Sequence, residues 1–145
     1  VDPSGPRCSC GSSGCLEQYA SSVGLRRLCK ETPVDGVNIK DGDFPEQLAN
    51  AARRGDATAV AHFNAAGTML GRGLATFLNI FDIRTVLLCG GLAPTWDLME
   101  TSARAEMNRV AYQEIAHDVE VILGTLGEKA GILGAAMQWM MAPHD

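Results

Sequence analysis

The stretch that decides the fold is TVLLCGG, residues 85–91, in which a short apolar run ends abruptly on two glycines. A continuous apolar run stopped in this way is typical of a strand buried on both faces of a parallel sheet. A second such run, VEVIL at residues 119–123, follows a segment with helical periodicity over about 96–112. Strand, helix and strand in this order predict an α/β fold.

Helical periodicity outside this unit predicts four more helices, over residues 16–31, 45–54, about 57–79 and 128–141. Gly55 and Asp56 suit the end of one helix and the N-cap of the next, so the middle two are predicted to form a hairpin. Gly67 and Gly71 lie on one helical face, where they let another element come close. The core contacts expected from this helix are those of Val60, Phe63, Met69, Leu70, Leu74, Phe77 and Leu78.

Two strands are too few for a sheet that is covered on both faces, so the sheet of this chain is predicted to be incomplete. The chain also begins on Val-Asp-Pro, in what looks like the middle of a loop. Both observations favour the C-terminal piece of a longer protein.

Composition narrows the class of protein. The chain has 145 residues, the length of one domain, and 46% of them are hydrophobic. The net charge of −5, with no more than two basic residues in a row, argues against a nucleic-acid surface in this segment. No apolar stretch reaches the roughly 18 residues of a membrane span, and no signal peptide opens the chain. We therefore expect a cytoplasmic protein with no membrane contact.

Three of the five cysteines lie within CSCGSSGC, residues 8–15, where glycines allow the chain to turn and aim three sulfurs at one point. Cys8, Cys10 and Cys15 are therefore candidate ligands of a structural zinc, which needs a fourth donor because such sites are usually tetrahedral. The histidines of the chain have no supporting context: His62, His117 and His144. The alternative is a loop with three free thiols.

Four motifs together resemble the ROK family (repressors, open reading frames and sugar kinases). CSCGSSGCLEQYAS, residues 8–21, resembles the family signature. GTMLGRGLATFLNIFDI, TVLLCGGLA and LGTLGEKAGILGAA then follow in the family's order, at residues 67–83, 85–93 and 123–136. The resemblance covers essentially the whole chain.

This resemblance implies the C-terminal portion of a glucokinase-like sugar kinase with the two-lobed, actin-like (ribonuclease-H-like) ATPase fold. Residues 1–15 would be the zinc-binding loop and residues 16–145 the C-terminal lobe, with the N-terminal lobe absent. The phosphate-binding loop, the catalytic aspartate and the histidine that completes the zinc site would all precede Val1. The segment alone is therefore expected to be inactive, and no catalytic residue is assigned within it.

The resemblance also implies roles for particular residues. Glu17 would hydrogen-bond sugar hydroxyls, although an acid in a first helical turn is ordinary in its own right. Gly90 and Gly91 would form the adenosine motif, which usually has three glycines and here has Cys89 in the first place; a simple tight turn is the alternative. ATP and Mg2+ would serve the complete enzyme, and a homodimer is expected.

Three functions stay open from the sequence. The first is a kinase that phosphorylates a hexose or an N-acetylhexosamine. The second is the sugar-responsive body of a ROK-type transcriptional repressor, whose DNA-binding helix-turn-helix would lie far upstream. The third is an isolated fragment or a degraded paralogue that binds nothing.

Overall fold

A two-stranded parallel sheet lies at the centre of the strand–helix–strand unit. The computed structural model describes residues 1–142, apart from the side chain of Glu128. Strand β1 (Thr85–Leu88) pairs with β2 (Glu120–Leu123), with Val86 opposite Val121. The predicted α/β class and the parallel pairing are therefore confirmed.

Helices cover one face of this pair and make up most of the described chain. In chain order they are α1 (Ser22–Glu31), α2 (Phe44–Arg53), α3 (Ala57–Phe81), α4 (Trp96–Val110), α5 (Gln113–Ala116) and α6 (Ala130–Met141). Short 3-10 turns precede three of them, at Leu16–Gln18, Ala93–Thr95 and Gly127–Lys129. No helix in residues 1–142 combines the length and the apolar character that crossing a membrane would require.

The helical hairpin of α2 and α3 forms as its turn residues predict. Gly55 adopts φ of 90°, a left-handed conformation that glycine reaches without strain. The Asp56 carboxylate accepts a hydrogen bond from the backbone N–H of Ala59 at 2.8 Å, which satisfies a free donor of the first turn of α3.

The core has two parts that share α3 and α4. One part packs α1 and α2 against these helices around Phe44, Phe63 and Leu48, all fully buried. The other part packs the sheet against α3 and α4 around Leu78, Val86 and Met107. The sheet is thus held to the helical body through one face.

The close approach predicted for Gly67 and Gly71 occurs between α3 and α4. A Cβ atom on Gly71 would lie 2.2 Å from the carbonyl oxygen of Ala103, and one on Gly67 would lie 2.6 Å from that of Met99. The two helix backbones therefore touch where α3 has no side chains.

Three expectations about burial are wrong. Leu87 on β1 is 62% exposed, because within the described chain the helices cover only the face that carries Val86. Val60 and Phe77 on α3 are 37% and 50% exposed, since they lie off the stripe that faces α2 and α4. Phe77 stacks on Phe81 instead, with ring centroids 6.3 Å apart.

The helix expected from residue 16 begins later than its periodicity indicates. A 3-10 turn covers Leu16–Gln18, and α1 starts only at Ser22 because Ser21 acts as its N-cap. The Ser21 hydroxyl accepts a hydrogen bond from the Val23 N–H at 3.0 Å and donates to the carbonyl oxygen of Glu17 at 2.6 Å. This break sets the position of Glu17 relative to α1.

Candidate functional site

The cysteine-rich loop folds back on itself through its backbone. The N–H of Cys8 donates to the carbonyl of Ser12 at 2.9 Å, and the N–H of Gly11 donates to Cys8 at 3.1 Å. Gly11 and Gly14 have φ of 91° and 65°, values that favour glycine. The glycines therefore perform the turning role that their spacing predicts.

The three sulfurs of this loop converge. The sulfurs of Cys8, Cys10 and Cys15 all lie within 4.8 Å of one another, and those of Cys10 and Cys15 are 3.5 Å apart. Zinc–sulfur bonds of about 2.3 Å in a tetrahedron place sulfurs about 3.8 Å apart. The loop thus brings three sulfur donors close to the spacing of a zinc site.

The three thiols also affect one another's acidity. Hydrogen bonds from the Cys10 N–H and thiol lower the pKa of Cys8. The neighbouring sulfurs of Cys10 and Cys8, together with burial, raise the pKa of Cys15 to about 11. The close sulfurs thus shift the pKa of Cys8 and that of Cys15 in opposite directions.

The N-terminal segment holds the loop from the other side. Asp2 donates its backbone N–H to the carbonyl of Gly14 at 3.3 Å, and its carboxylate accepts a hydrogen bond from the Tyr19 hydroxyl at 2.8 Å. A Cβ atom on Gly14 would lie 1.5 Å from the Asp2 carbonyl oxygen, so this crossing requires glycine. The composition of residues 1–15 did not indicate this contact. The contact orders the segment even though it has few apolar side chains to bury.

A fourth ligand is absent from the cysteine cluster within residues 1–142. His62 is buried in α3 and its Nε2 lies 2.8 Å from the Thr32 carbonyl oxygen. His117 is exposed at the end of α5. His144 lies outside the described residues.

Glu17 lies beside the cysteine loop, exposed to solvent in the 3-10 turn that precedes α1. Its Oε2 accepts a hydrogen bond from the Cys8 thiol, with 3.9 Å between oxygen and sulfur. The candidate sugar ligand and the candidate metal loop are thus in contact.

A cavity of about 570 Å³ opens at the carboxyl end of β1. This volume falls in the range of roughly 300–1,000 Å³ that is usual for small-molecule sites, and the carboxyl edge of parallel strands is the usual place for ligands in open α/β sheets. The residues that line it are Ala20, Ser21, Ser22, Arg26, Gly42, Asp43, Pro45, Glu46, Cys89, Gly91 and Leu92.

The glycine pair after β1 borders this cavity. Gly91 and Cys89 line its wall, and Gly90 between them adopts φ of 99°, which requires glycine for an unstrained turn. The pair therefore serves as a tight turn and also gives bare backbone to the cavity wall.

Sequence patterns did not indicate the opposite wall. It combines the start of α1 with residues 42–46, and both segments are distant along the chain from the residues after β1. Only the position of Ser21 could have been inferred from the sequence, because a serine before a helical run is a common N-cap. Arg26, Asp43 and Glu46 carried none, since surface helices and polar loops ordinarily contain such residues.

Comparison with known proteins assigns the family. The model of the ROK family matches residues 1–142. The chain belongs to the ROK family. This result confirms the resemblance carried by residues 8–21 and by the three motifs after them.

Relatives of this ROK chain include enzymes and regulators. A glucokinase of Thermotoga maritima is 32% identical over 94% of this chain and 45% of its own length. A xylose repressor of Bacillus spizizenii is 32% identical over 92% of this chain and 33% of its own length. The ROK chain thus spans less than half the length of these relatives.

Solved structures agree on the fold. A ROK family glucokinase from Streptomyces griseus, solved in complex with glucose and AMPPNP, superimposes with a TM-score of 0.76. It is 32% identical, and the match covers 95% of this chain and 48% of that one. The ROK chain therefore has the fold of sugar kinases of the actin-like ATPase class.

Proposed function

We propose that this chain supplies the sugar-binding carboxylate and the adenosine side of an ATP-dependent sugar kinase. The observation that carries this proposal is the short path between the two candidate sites. Ser21 lines the cavity beside Gly91, and its hydroxyl donates a hydrogen bond of 2.6 Å to the backbone of Glu17. A sugar on Glu17 would thus lie near a nucleotide in the cavity, which is the arrangement that phosphoryl transfer needs.

Glu17 acts in this proposal as an acceptor for sugar hydroxyls. A carboxylate accepts strong, directional hydrogen bonds from paired hydroxyls, and Glu17 is exposed enough to reach them. The substrate would be a hexose or an N-acetylhexosamine.

The cysteine loop acts as a structural brace. Cys8, Cys10 and Cys15 would hold a zinc ion, with a histidine from elsewhere in the protein as the fourth ligand. A metal in this position would supply rigidity to the loop and so orient Glu17, because the 3-10 turn that carries Glu17 directly follows Cys15 and the Gln18 N–H donates to the Cys15 carbonyl oxygen at 2.9 Å.

Gly90 and Gly91 act on the adenosine side of ATP. Bare backbone after a parallel strand lets a nucleotide approach closely, and the cavity is large enough for a nucleoside. Mg2+ would accompany the phosphates. The base that takes the sugar proton, an aspartate in the family, is assigned to a part of the protein other than this chain.

The test uses the full-length native protein, not residues 1–145 alone. It measures phosphoryl transfer from ATP, with Mg2+ present, to a panel of hexoses and N-acetylhexosamines. Formation of ADP that depends on one class of sugar would support a kinase. Saturable sugar binding without ADP formation above background would overturn that function.

A repressor is the second candidate, because a xylose repressor matches nearly the whole of this chain. This function predicts that the native protein binds a specific DNA site and that a sugar changes the affinity. Binding of DNA would be assigned to a segment other than residues 1–142, since these contain no concentrated basic surface motif in sequence.

We also propose a cytoplasmic homodimer in which further polypeptide covers the apolar surface of this chain. Leu87, Ile122 and Leu123 on the sheet are each more than 40% exposed, as are Ile132 and Met140 on α6. Surface of this kind is usually covered by protein. Light scattering on the native protein, which gives its mass in solution, tests the dimer.

A further inference from the structure

We propose that Arg26 is the positioning residue of the nucleotide cavity, because it ties one wall of the cavity to another. This inference rests on the proposed function, since it assumes that the cavity receives a nucleotide. Arg26 lies on α1, and no sequence motif singled it out.

Two carbonyl groups of the loop after α1 converge on the Arg26 guanidinium. Its Nη1 donates to the carbonyl oxygen of Ile39, and its Nη2 donates to that of Asp41 at 3.1 Å. The planar fork of an arginine suits two carbonyls at once, which a lysine ammonium on a flexible stem does less well.

An aromatic ring supports the same guanidinium from one side. The Arg26 Cζ lies 4.5 Å from the centroid of the Phe44 ring, and Phe44 is fully buried at the start of α2. Stacking of this kind restricts the rotation of the guanidinium. Arg26 therefore holds a fixed orientation between α1 and α2.

The loop that Arg26 holds leads directly into the cavity wall. Gly42, Asp43, Pro45 and Glu46 form this wall, next to the Asp41 carbonyl that Arg26 binds. Within the loop, Asn38 Nδ2 donates to Asp41 Oδ1 at 2.8 Å. From α2, Gln47 Nε2 donates to the carboxylates of Asp41 and Asp43. Arg26 ties this network to α1, which forms the facing wall through Ser21 and Ser22.

Loss of this tie should reduce the fraction of molecules in which the cavity is formed. Apparent ligand affinity falls in proportion to that fraction. We expect Arg26→Gln to weaken binding of ATP to the native protein about tenfold. Sugar affinity and zinc content should stay within twofold of the wild-type values, because Arg26 bonds to Ile39 and Asp41, whereas Glu17 bonds to Cys8 and Ser21.

The experiment measures ATP binding by titration calorimetry and KM for ATP and for sugar by ADP formation, on the native protein. Arg27→Gln is the matched control, because Arg27 is the next residue on α1 and lines a different groove, beside Tyr19 and Met69. Hydrogen exchange of residues 38–43 gives a readout of the loop itself. The expected result for Arg26→Gln is a higher KM for ATP with unchanged kcat and faster exchange in this loop.

Arg26→Lys separates positioning from simple charge. If positioning is the role, Lys restores only part of the affinity, and exchange of residues 38–43 stays faster than in the wild type. Full restoration of affinity by Lys would overturn the proposal, and so would unchanged ATP binding in Arg26→Gln. A wild-type protein that binds no ATP would instead overturn the proposed nucleotide site, and this inference with it.

Discussion

The carboxylate of Glu17 accepts a hydrogen bond from the thiol of Cys8, with 3.9 Å between Oε2 and Sγ. This contact joins the residue proposed to bind sugar to the loop proposed to bind zinc. A zinc ion would displace the proton of this thiol, and Glu17 would then be held by the backbone of Cys15, which directly precedes its 3-10 turn. Disruption of the loop should therefore weaken sugar binding through this turn.

The first prediction concerns metal content. The native protein should carry about one zinc per chain, because three sulfurs already converge within 4.8 Å of one another. Cys10→Ser should lower the zinc content to a small fraction and weaken sugar binding through Glu17. Elemental analysis measures the metal, and Cys89→Ser serves as the control, since Cys89 lies outside the cluster. Wild-type protein without zinc would refute the metal site.

The second prediction concerns Glu17 itself. Glu17→Gln should weaken sugar binding roughly 10- to 100-fold, because a hydrogen bond to a charged group contributes about 1.5–3 kcal/mol. Zinc content should not change. Glu31→Gln is the matched control, as Glu31 is an exposed acid at the far end of α1 that pairs with Arg27. Equal sugar affinity in the two variants would show that Glu17 does not bind sugar and is an ordinary acid in a first helical turn.

The third prediction concerns the contact between α3 and α4. Gly71→Ala should lower the free energy of unfolding by about 1–3 kcal/mol, because the new methyl group would meet the Ala103 backbone at 2.2 Å. Gly73→Ala gains the same helix propensity but meets only the flexible Leu16 side chain, at 2.9 Å. Urea unfolding of both variants should show the larger loss for Gly71→Ala, and the reverse order would contradict the packing described.

The fourth prediction is a pH dependence of stability. Hydrogen bonds from Arg109, and then from Arg72, lower the pKa of the buried Glu106 to about 2. A carboxyl group whose pKa is lowered on folding stabilises the protein above its unfolded pKa of about 4.5, and this contribution is lost as the pH falls towards 2.

Urea unfolding between pH 2 and pH 6 measures this effect. Glu106→Gln should lose about 1–3 kcal/mol at pH 6, and the loss should shrink as the pH falls. Glu100→Gln is the matched control, because it weakens a half-exposed pair with Arg104 on the same helix and should cost no more than about 1 kcal/mol. Equal pH dependence in the wild type and in Glu106→Gln would refute the prediction.

Local signals in the sequence carried much of the fold. Gly55 and Asp56 placed the hairpin turn, and Gly67 and Gly71 indicated a close helix contact, because each of these features depends on the residue's own backbone or on its nearest neighbours. The exposure of Leu87 could not be predicted in the same way. An apolar side chain indicates that some surface covers it, but not whether that surface belongs to the same stretch of chain.

The same distinction applies to the candidate site, where local features could be predicted and contacts between distant residues could not. The CSCGSSGC spacing was sufficient to predict converging sulfurs, since glycines and cysteines within eight residues determine that geometry. Two other contacts join residues that are farther apart in sequence. The hydrogen bond between Asp2 and Tyr19 spans 17 positions, and the one from Arg26 to Ile39 spans 13. Contacts at such a separation leave no periodicity, and only the folded backbone shows them.

The parallel register of β1 and β2 makes positions 89 and 124 mutually dependent. The N–H of Gly124 donates to the Leu88 carbonyl at 2.8 Å, which sets Gly124 beneath the sulfur of Cys89, and a Cβ atom on Gly124 would lie 2.5 Å from that sulfur. A side chain at 124 would therefore require the Cys89 sulfur to rotate away, whereas glycine at 89 would leave that space open. The residue tolerated at the end of one strand thus depends on the residue at the end of its neighbour.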